Sequence, residues 1–116
     1  MNSDDSIDLN KIILKSREIN SRVIKLIRII ILLLTYYIKD GVQYREFKSF
    51  LDISDGKLHS NLEILEEMGY LRKTEVSLDQ KSLHIYLITQ LGKKELEKII
   101  SWISNIKKFI RGNEDV

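Results

Sequence analysis

The chain has 116 residues, 43% of them apolar and 31% charged, which suits one domain with a buried core. It contains no cysteine, so disulfides, thiolate metal sites and cysteine-based redox switches are excluded. The formal net charge is only +2, yet all 19 Lys and Arg lie between Lys11 and Arg111 against 12 of the 17 acids. That body carries a surplus of seven positive charges and offers a usable basic surface, while Asp4, Asp5, Asp8, Glu114 and Asp115 gather at the ends.

Residues 1–6 read as a frayed N-terminus, and residues 7–40 as an N-terminal helix followed by a central one. From Ile7 an apolar pattern begins, with Leu9, Ile12, Ile13 and Ile19. After Ser21, residues Ile24, Ile27, Ile31, Leu34 and Ile38 alternate spacings of three and four and predict one helical stripe. Ile29, Ile30, Leu32 and Leu33 make this helix apolar almost all round, which marks it as the central buried one, ended by Asp40-Gly41. It is not a membrane span. A span needs about 20 mostly apolar residues, and Lys25, Arg28, Lys39 and Asp40 interrupt or bound this run. Met1-Asn2-Ser3-Asp4-Asp5 lacks a basic n-region, so the expectation is a cytoplasmic protein without a secretory signal.

Gly41 to Tyr44 reads as a short connection with a single extended pairing. Arg45 to Leu51 follows as a two-turn helix with Phe47, Phe50 and Leu51 inward, and Asp52-Ile53 as a turn. Ser54 is placed to cap the next helix and Asp55 to favour its positive end. That helix runs to about Met68, where Gly69 supplies a left-handed stop. Tyr70–Val76 and Leu83–Ile88 predict two strands, with Ser77–Ser82 as the polar loop between them. Thr89 caps a last helix over residues 90–111.

The predicted fold class is therefore mainly α with a small β-hairpin, an α+β arrangement in one domain. Helix-turn-helix and then a hairpin, over residues 43–89, is the winged-helix plan, whose usual partner is duplex DNA. Leu58, Leu62 and Leu65 fall in one sector of the second helix, so that face packs inward. The opposite side shows Gly56, Lys57, His59, Ser60 and Glu63, with Asn61 and Ile64 on the flanks. Small polar donors and a cation at a helix start suit phosphates and base edges, Asn61 for adenine and Lys57 for guanine or phosphate. Arg72, Lys73, Lys81 and Ser82 lie on or beside the wing, where a hairpin follows the backbone or the minor groove. The candidate DNA-binding set is Ser54, Asp55, Gly56, Lys57, His59, Ser60, Asn61, Arg72, Lys73, Lys81 and Ser82. Lys57, Ser60 and Asn61 would equally suit an ordinary solvated face. Glu63, Glu66 and Glu67 repel phosphate and confine contact to the first two turns.

His59 and His84 stand on different elements without a ligand cluster, so no metal site or cofactor is expected. No nucleophile–base set, carboxylate pair or glycine-rich phosphate loop is present, and no enzyme is expected. In the last helix Leu96, Ile99, Ile103, Ile106 and Ile110 follow 3-4-3-4 spacing, the pattern of a short coiled-coil seam. Ile100, Trp102 and Phe109 widen it. With Ile12 from the N-terminal helix, Leu96, Ile99, Ile103, Ile106, Phe109 and Ile110 form the expected homodimer interface. The alternative is a terminal helix packed only on its own chain.

Two motifs carry a family resemblance. Ser54-Asp55-Gly56-Lys57-Leu58-His59-Ser60-Asn61-Leu62-Glu63-Ile64-Leu65-Glu66-Glu67-Met68-Gly69-Tyr70-Leu71 and Ile88-Thr89-Gln90-Leu91-Gly92-Lys93-Lys94 resemble the recognition helix with its exit, and the segment after the second wing strand, of MarR-like winged-helix regulators. The resemblance covers roughly residues 21–110 and includes the family's small archaeal members. It implies a homodimer joined through N- and C-terminal dimerisation helices, with recognition helices in successive major grooves of double-stranded DNA. It also admits a small-molecule effector, to which no residue is assigned. The family's wing-tip arginine has only Lys81 as counterpart. The function expected is a sequence-specific transcriptional regulator, the alternatives being a protein-interaction adaptor and a non-specific architectural DNA-binding protein.

Overall fold

The computed structural model describes residues 8–114. The segment expected to fray, and Ile7, lie outside these. In chain order the elements are α1 (Leu9–Ser16), a short 3-10 turn (Ser21–Val23), α2 (Leu26–Tyr37), β1 (Val42–Gln43), α3 (Tyr44–Leu51), α4 (Asp55–Glu67), β2 (Leu71–Leu78), β3 (Lys81–Ile88) and α5 (Gln90–Gly112). This is the expected α+β winged helix. The described residues divide into two compact units, residues 21–96 and a second formed by residues 8–20 with 97–114.

In the first unit, the strands form an antiparallel sheet in the order β1-β3-β2, with Val42 opposite Tyr86 and Gln43 opposite Ile85. Gly41 has φ +102°, and a Cβ there would meet the Ile85 side chain at 2.7 Å. Only glycine lets the chain leave α2 and join the sheet at that point. The core comprises Val23, Ile31, Leu32, Val42, Phe47, Leu58, Leu62, Leu65, Leu71 and Tyr86. Phe47 meets the Tyr86 ring edge-on, centroids 5.8 Å apart.

Four details differ from the sequence reading. The helix expected after Ser21 is broken into the 3-10 turn and α2, which starts at Leu26. The buried face of α2 is Arg28, Ile31, Leu32 and Thr35, rotated from the Ile24–Ile38 stripe. Apolar residues surround this helix, so hydrophobicity alone does not choose the inward face. Arg28 and Thr35 have polar partners there, Thr35 Oγ1 donating to the Ile31 or Leu32 carbonyl. In α3, Phe47 is buried but Phe50 is 59% exposed. Phe47 and Leu51 are one turn apart, and Phe50 sits on the other side of that line. The loop expected over Ser77–Ser82 is only Asp79-Gln80. Leu78 pairs with Lys81 and Ser77 with Ser82, and both turn residues have φ near +50 to +64°, as a two-residue primed turn requires.

The junction into α5 explains the Thr-x-x-Gly motif. Thr89 Oγ1 donates to the Gly69 carbonyl at 2.6 Å and accepts the Gly92 N–H at 3.0 Å. The Thr89 N–H donates to the Tyr70 carbonyl at 3.0 Å. A Cβ on Gly92 would collide with the Tyr70 carbonyl oxygen and lie 2.8 Å from Ile88 Cγ1.

In the second unit, the Asp8 carboxylate caps α1 through the Lys11 N–H at 2.8 Å. Trp102 Nε1 donates to the Ile12 carbonyl at 3.0 Å, and Lys98 Nζ reaches the Glu18 carbonyl at 3.5 Å. These bonds tie the two chain ends together within the unit.

Gly92→Ala is expected to lower stability by about 1–3 kcal/mol, since the obstructing atom is backbone. Gly56→Ala, where a Cβ meets nothing within 4 Å, is expected to be neutral or to gain up to about 1 kcal/mol from helix propensity. Urea midpoints at unchanged m-value separate the two; equal midpoints would remove the steric account of the motif.

Candidate nucleic-acid interface

Helix α4 starts as its sequence dictates. Ser54 Oγ accepts the Lys57 N–H at 3.2 Å, satisfying one of the free donors of the first turn. The preceding turn is clasped from α3. Lys48 Nζ donates to the Ile53 carbonyl at 2.6 Å and pairs with Asp55 Oδ1 at 3.3 Å. The Tyr44 hydroxyl lies 3.2 Å from the Asp55 carbonyl and 3.3 Å from its carboxylate. Desolvation, then the Asp55 charge and the hydrogen bond to it, raise the Tyr44 phenol above its ordinary pKa, so it stays a donor. Asp52, left-handed at φ 51°, makes the corner between the helices, a conformation that Asp tolerates better than most residues.

The inward face of α4 is the expected Leu58, Leu62 and Leu65, joined by Asn61. Ser54, Gly56, Lys57, His59 and Ser60 are exposed. His59 lies 3.7 Å from Glu63 one turn on. Asp55 is exposed too, but its carboxylate is engaged by Lys48 and Tyr44, so its role is in the turn.

Asn61 is placed differently from the outward flank expected of it. It is 8% exposed. Its Oδ1 accepts Arg28 Nε at 2.8 Å, and its Nδ2 donates to the Lys57 carbonyl at 2.8 Å. Each end of the amide is engaged inside the protein, so the pair of atoms that would read adenine is held by Arg28 and the Lys57 carbonyl.

The wing cations do not form one row. Cross-strand partners share a face and successive residues alternate. Arg72, opposite Leu87, and Lys81, opposite Leu78, therefore lie on one face. Lys73, opposite Tyr86, and Ser82, opposite Ser77, lie on the other. All four are exposed. On the Lys73 face His84 and Glu75 form a cross-strand pair at 3.4 Å.

Two residues were missed by the sequence reading, which used Lys25 and Arg28 only to reject a membrane span. Both line a cleft of about 320 Å³ with Ile27, Ile53, Lys57, Ser60 and Asn61. The available signal was an arginine in the middle of an otherwise apolar helix, which must either reach the surface or find buried partners. Among the described residues no group of three His, Cys, Asp or Glu could hold a metal ion, and no helix is long and apolar enough to cross a membrane.

Residues 27–107 match the model of the winged helix DNA-binding domain family, and the chain belongs to that family. It is similar in structure to the transcriptional regulator homologue protein from Pyrococcus horikoshii OT3, with a TM-score of 0.68 and 21% identity over 87% of this chain and 96% of that one. At that identity the likeness is one of fold. No curated protein matches the sequence.

Asn61→Ala is expected to cost about 1.5–3 kcal/mol of stability, because it strips a buried guanidinium of an acceptor. Any accompanying loss of DNA affinity should be the same on every duplex. An unchanged denaturation midpoint together with a lost preference at one base pair would restore the base-reading role.

Proposed function

We propose that this winged-helix DNA-binding protein is a MarR-like transcriptional regulator that binds specific duplex sites as a homodimer in the cytoplasm. The observation that carries this reading is the outward face of α4, where Gly56, Lys57, His59 and Ser60 are exposed on the first two turns. The polar end of a helix free of its own tertiary contacts is the part that enters a major groove. Arg72, Lys73, Lys81 and Ser82 add contacts from the wing. Because these lie on both faces of the hairpin, some reach the backbone only if the wing stands edge-on to the duplex. The solved regulator homologue with the same fold supports a regulatory role.

Dimerisation is supported by the apolar surface of the second unit. Ile103 and Ile110 are 51% and 52% exposed, and Ile100, Leu9, Ile13 and Leu14 are exposed as well. Ile12, Leu96 and Ile99 are buried in the single chain, so the proposed interface rests on Ile103 and Ile110, with the half-buried Ile106 and Phe109 beside them. An effector is part of the family resemblance, and no residue is assigned to it.

Fluorescence anisotropy with the protein's own upstream promoter fragment and a scrambled duplex, at two salt concentrations, tests the reading. Selective binding that survives the higher salt is expected. Lys57→Ala should weaken it by about 1–3 kcal/mol if the lysine reads a base, and Lys81→Ala should weaken all duplexes alike. Equal, salt-labile binding to both fragments would indicate an architectural protein. No binding at either salt would favour a protein-interaction adaptor working through Ile64 and the acidic half of α4. In sedimentation, the wild type should run at twice 13.7 kDa and Ile103→Glu as a monomer; a monomeric wild type would end the dimer proposal.

A further inference from the structure

Arg28 is only 6% exposed. Among the described residues its hydrogen bonds go to two neutral acceptors, the Arg22 carbonyl and Asn61 Oδ1, and no carboxylate is within ion-pair distance of it. Two of its five N–H donors are thus engaged by neutral groups, which leave the charge of a buried guanidinium unanswered. It does not stand alone. The cleft it lines also takes in Lys25 and Lys57, both of which are exposed and pair with no carboxylate among the described residues. Lys25 is moreover the N-cap of α2 and offers that helix start no side-chain acceptor, so the positive end of the helix dipole adds to the same field. Ser60 supplies a hydroxyl donor on the wall formed by α4.

We infer that this cleft seats one phosphate of the DNA backbone at the edge of the groove occupied by α4. The inference rests on the proposed function and deepens it. Lys25 and Lys57 close on the phosphate from opposite walls with charge-assisted hydrogen bonds, Ser60 donates a third, and Arg28 supplies charge from below. A backbone phosphate fits better than a free anion because two of the wall residues, Lys57 and Ser60, stand on the exposed turns of α4. A helix lying in a major groove is flanked by the two sugar-phosphate strands. The contact therefore sets how deeply and at what angle α4 enters, without reading sequence.

The test is the KCl dependence of duplex binding by the full chain, compared for wild type, Lys25→Ala and Lys39→Ala. Lys39 is exposed beyond the other end of α2, about 18 Å away along a twelve-residue helix, and serves as control. Lys25→Ala should reduce the slope of log K against log salt by about 0.9 per protomer. Between about 50 and about 200 mM KCl it would then lose about 3.5-fold less affinity per protomer than wild type. Lys25→Arg should keep the wild-type slope, and Lys39→Ala should leave it unchanged. A wild-type slope in Lys25→Ala overturns the inference while leaving the proposed function standing. Absence of duplex binding by the wild type itself overturns both. Inorganic phosphate replacing chloride at constant ionic strength distinguishes the other source. If it raises the melting temperature of wild type and not of Lys25→Ala while the DNA slopes are equal, the cleft is a free-anion site and the DNA inference fails.

Discussion

The hydrogen bond from Arg28 to Asn61 joins α2 to α4, the second helix of the helix-turn-helix, and the way α4 is set on the core follows from it. Asn61 passes the connection on through its second amide atom to the Lys57 carbonyl, so the start of α4 is registered against α2 by polar contacts as well as by Leu58, Leu62 and Leu65. Leucine packing tolerates small rotations of a helix. A guanidinium held by a side-chain amide and by the Arg22 carbonyl tolerates far less, because each displaced bond leaves a buried polar group unsatisfied. The rotation of α2 relative to its apolar stripe follows from the same constraint, since Arg28 must face Asn61.

A second junction fixes where α4 ends. Gly69, with φ +82°, turns the chain so that the Tyr70 N–H reaches the Leu65 carbonyl at 2.9 Å. Thr89 then bonds both Gly69 and Tyr70 and caps α5. One threonine thus joins the exit of α4, the start of β2 and the end of β3, and Gly92 lets the first turn of α5 lie directly on that backbone. The wing is consequently anchored at its base. Its tip, Asp79-Gln80, is a tight two-residue turn with both residues at positive φ.

Local signals in the sequence were legible wherever a single residue type has one physical role. Ser54 as a cap, Gly41 and Gly69 as left-handed or close-packed stops, Thr89 as a cap and the inward leucines of α4 can each be read from their neighbours alone. The inward side of α2, the direction of Phe50 and the length of the wing turn could not, since each depends on a partner distant in sequence or on a pairing register. The candidate site divides along the same line. Lys57 and Ser60 are exposed for reasons visible in the helical period. Asn61 lies beside them on the helical wheel but is claimed by Arg28, 33 positions earlier, and no local pattern reveals that bond.

Asp55 apart, the charge pattern of α4 runs against the usual preference of helices. Three acids, Glu63, Glu66 and Glu67, occupy its second half and no basic residue its last turn, although the negative end of the dipole favours cations there. Lys57 stands in the first turn, at the positive end, beside Asp55, whose carboxylate Lys48 engages. Both choices cost helix stability, and both enlarge the same field, positive at the start of α4 and negative at its end. Beside a polyanion such a helix has one favourable orientation, with its first turns toward phosphate and its last turns away. Lys25, Arg28 and the start of α2 lie around that first end and strengthen the same polarity. The net charge of the whole chain is only +2, and the cations Lys25, Arg28 and Lys57 around one cleft give the start of α4 the local positive potential that the proposed phosphate contact calls for.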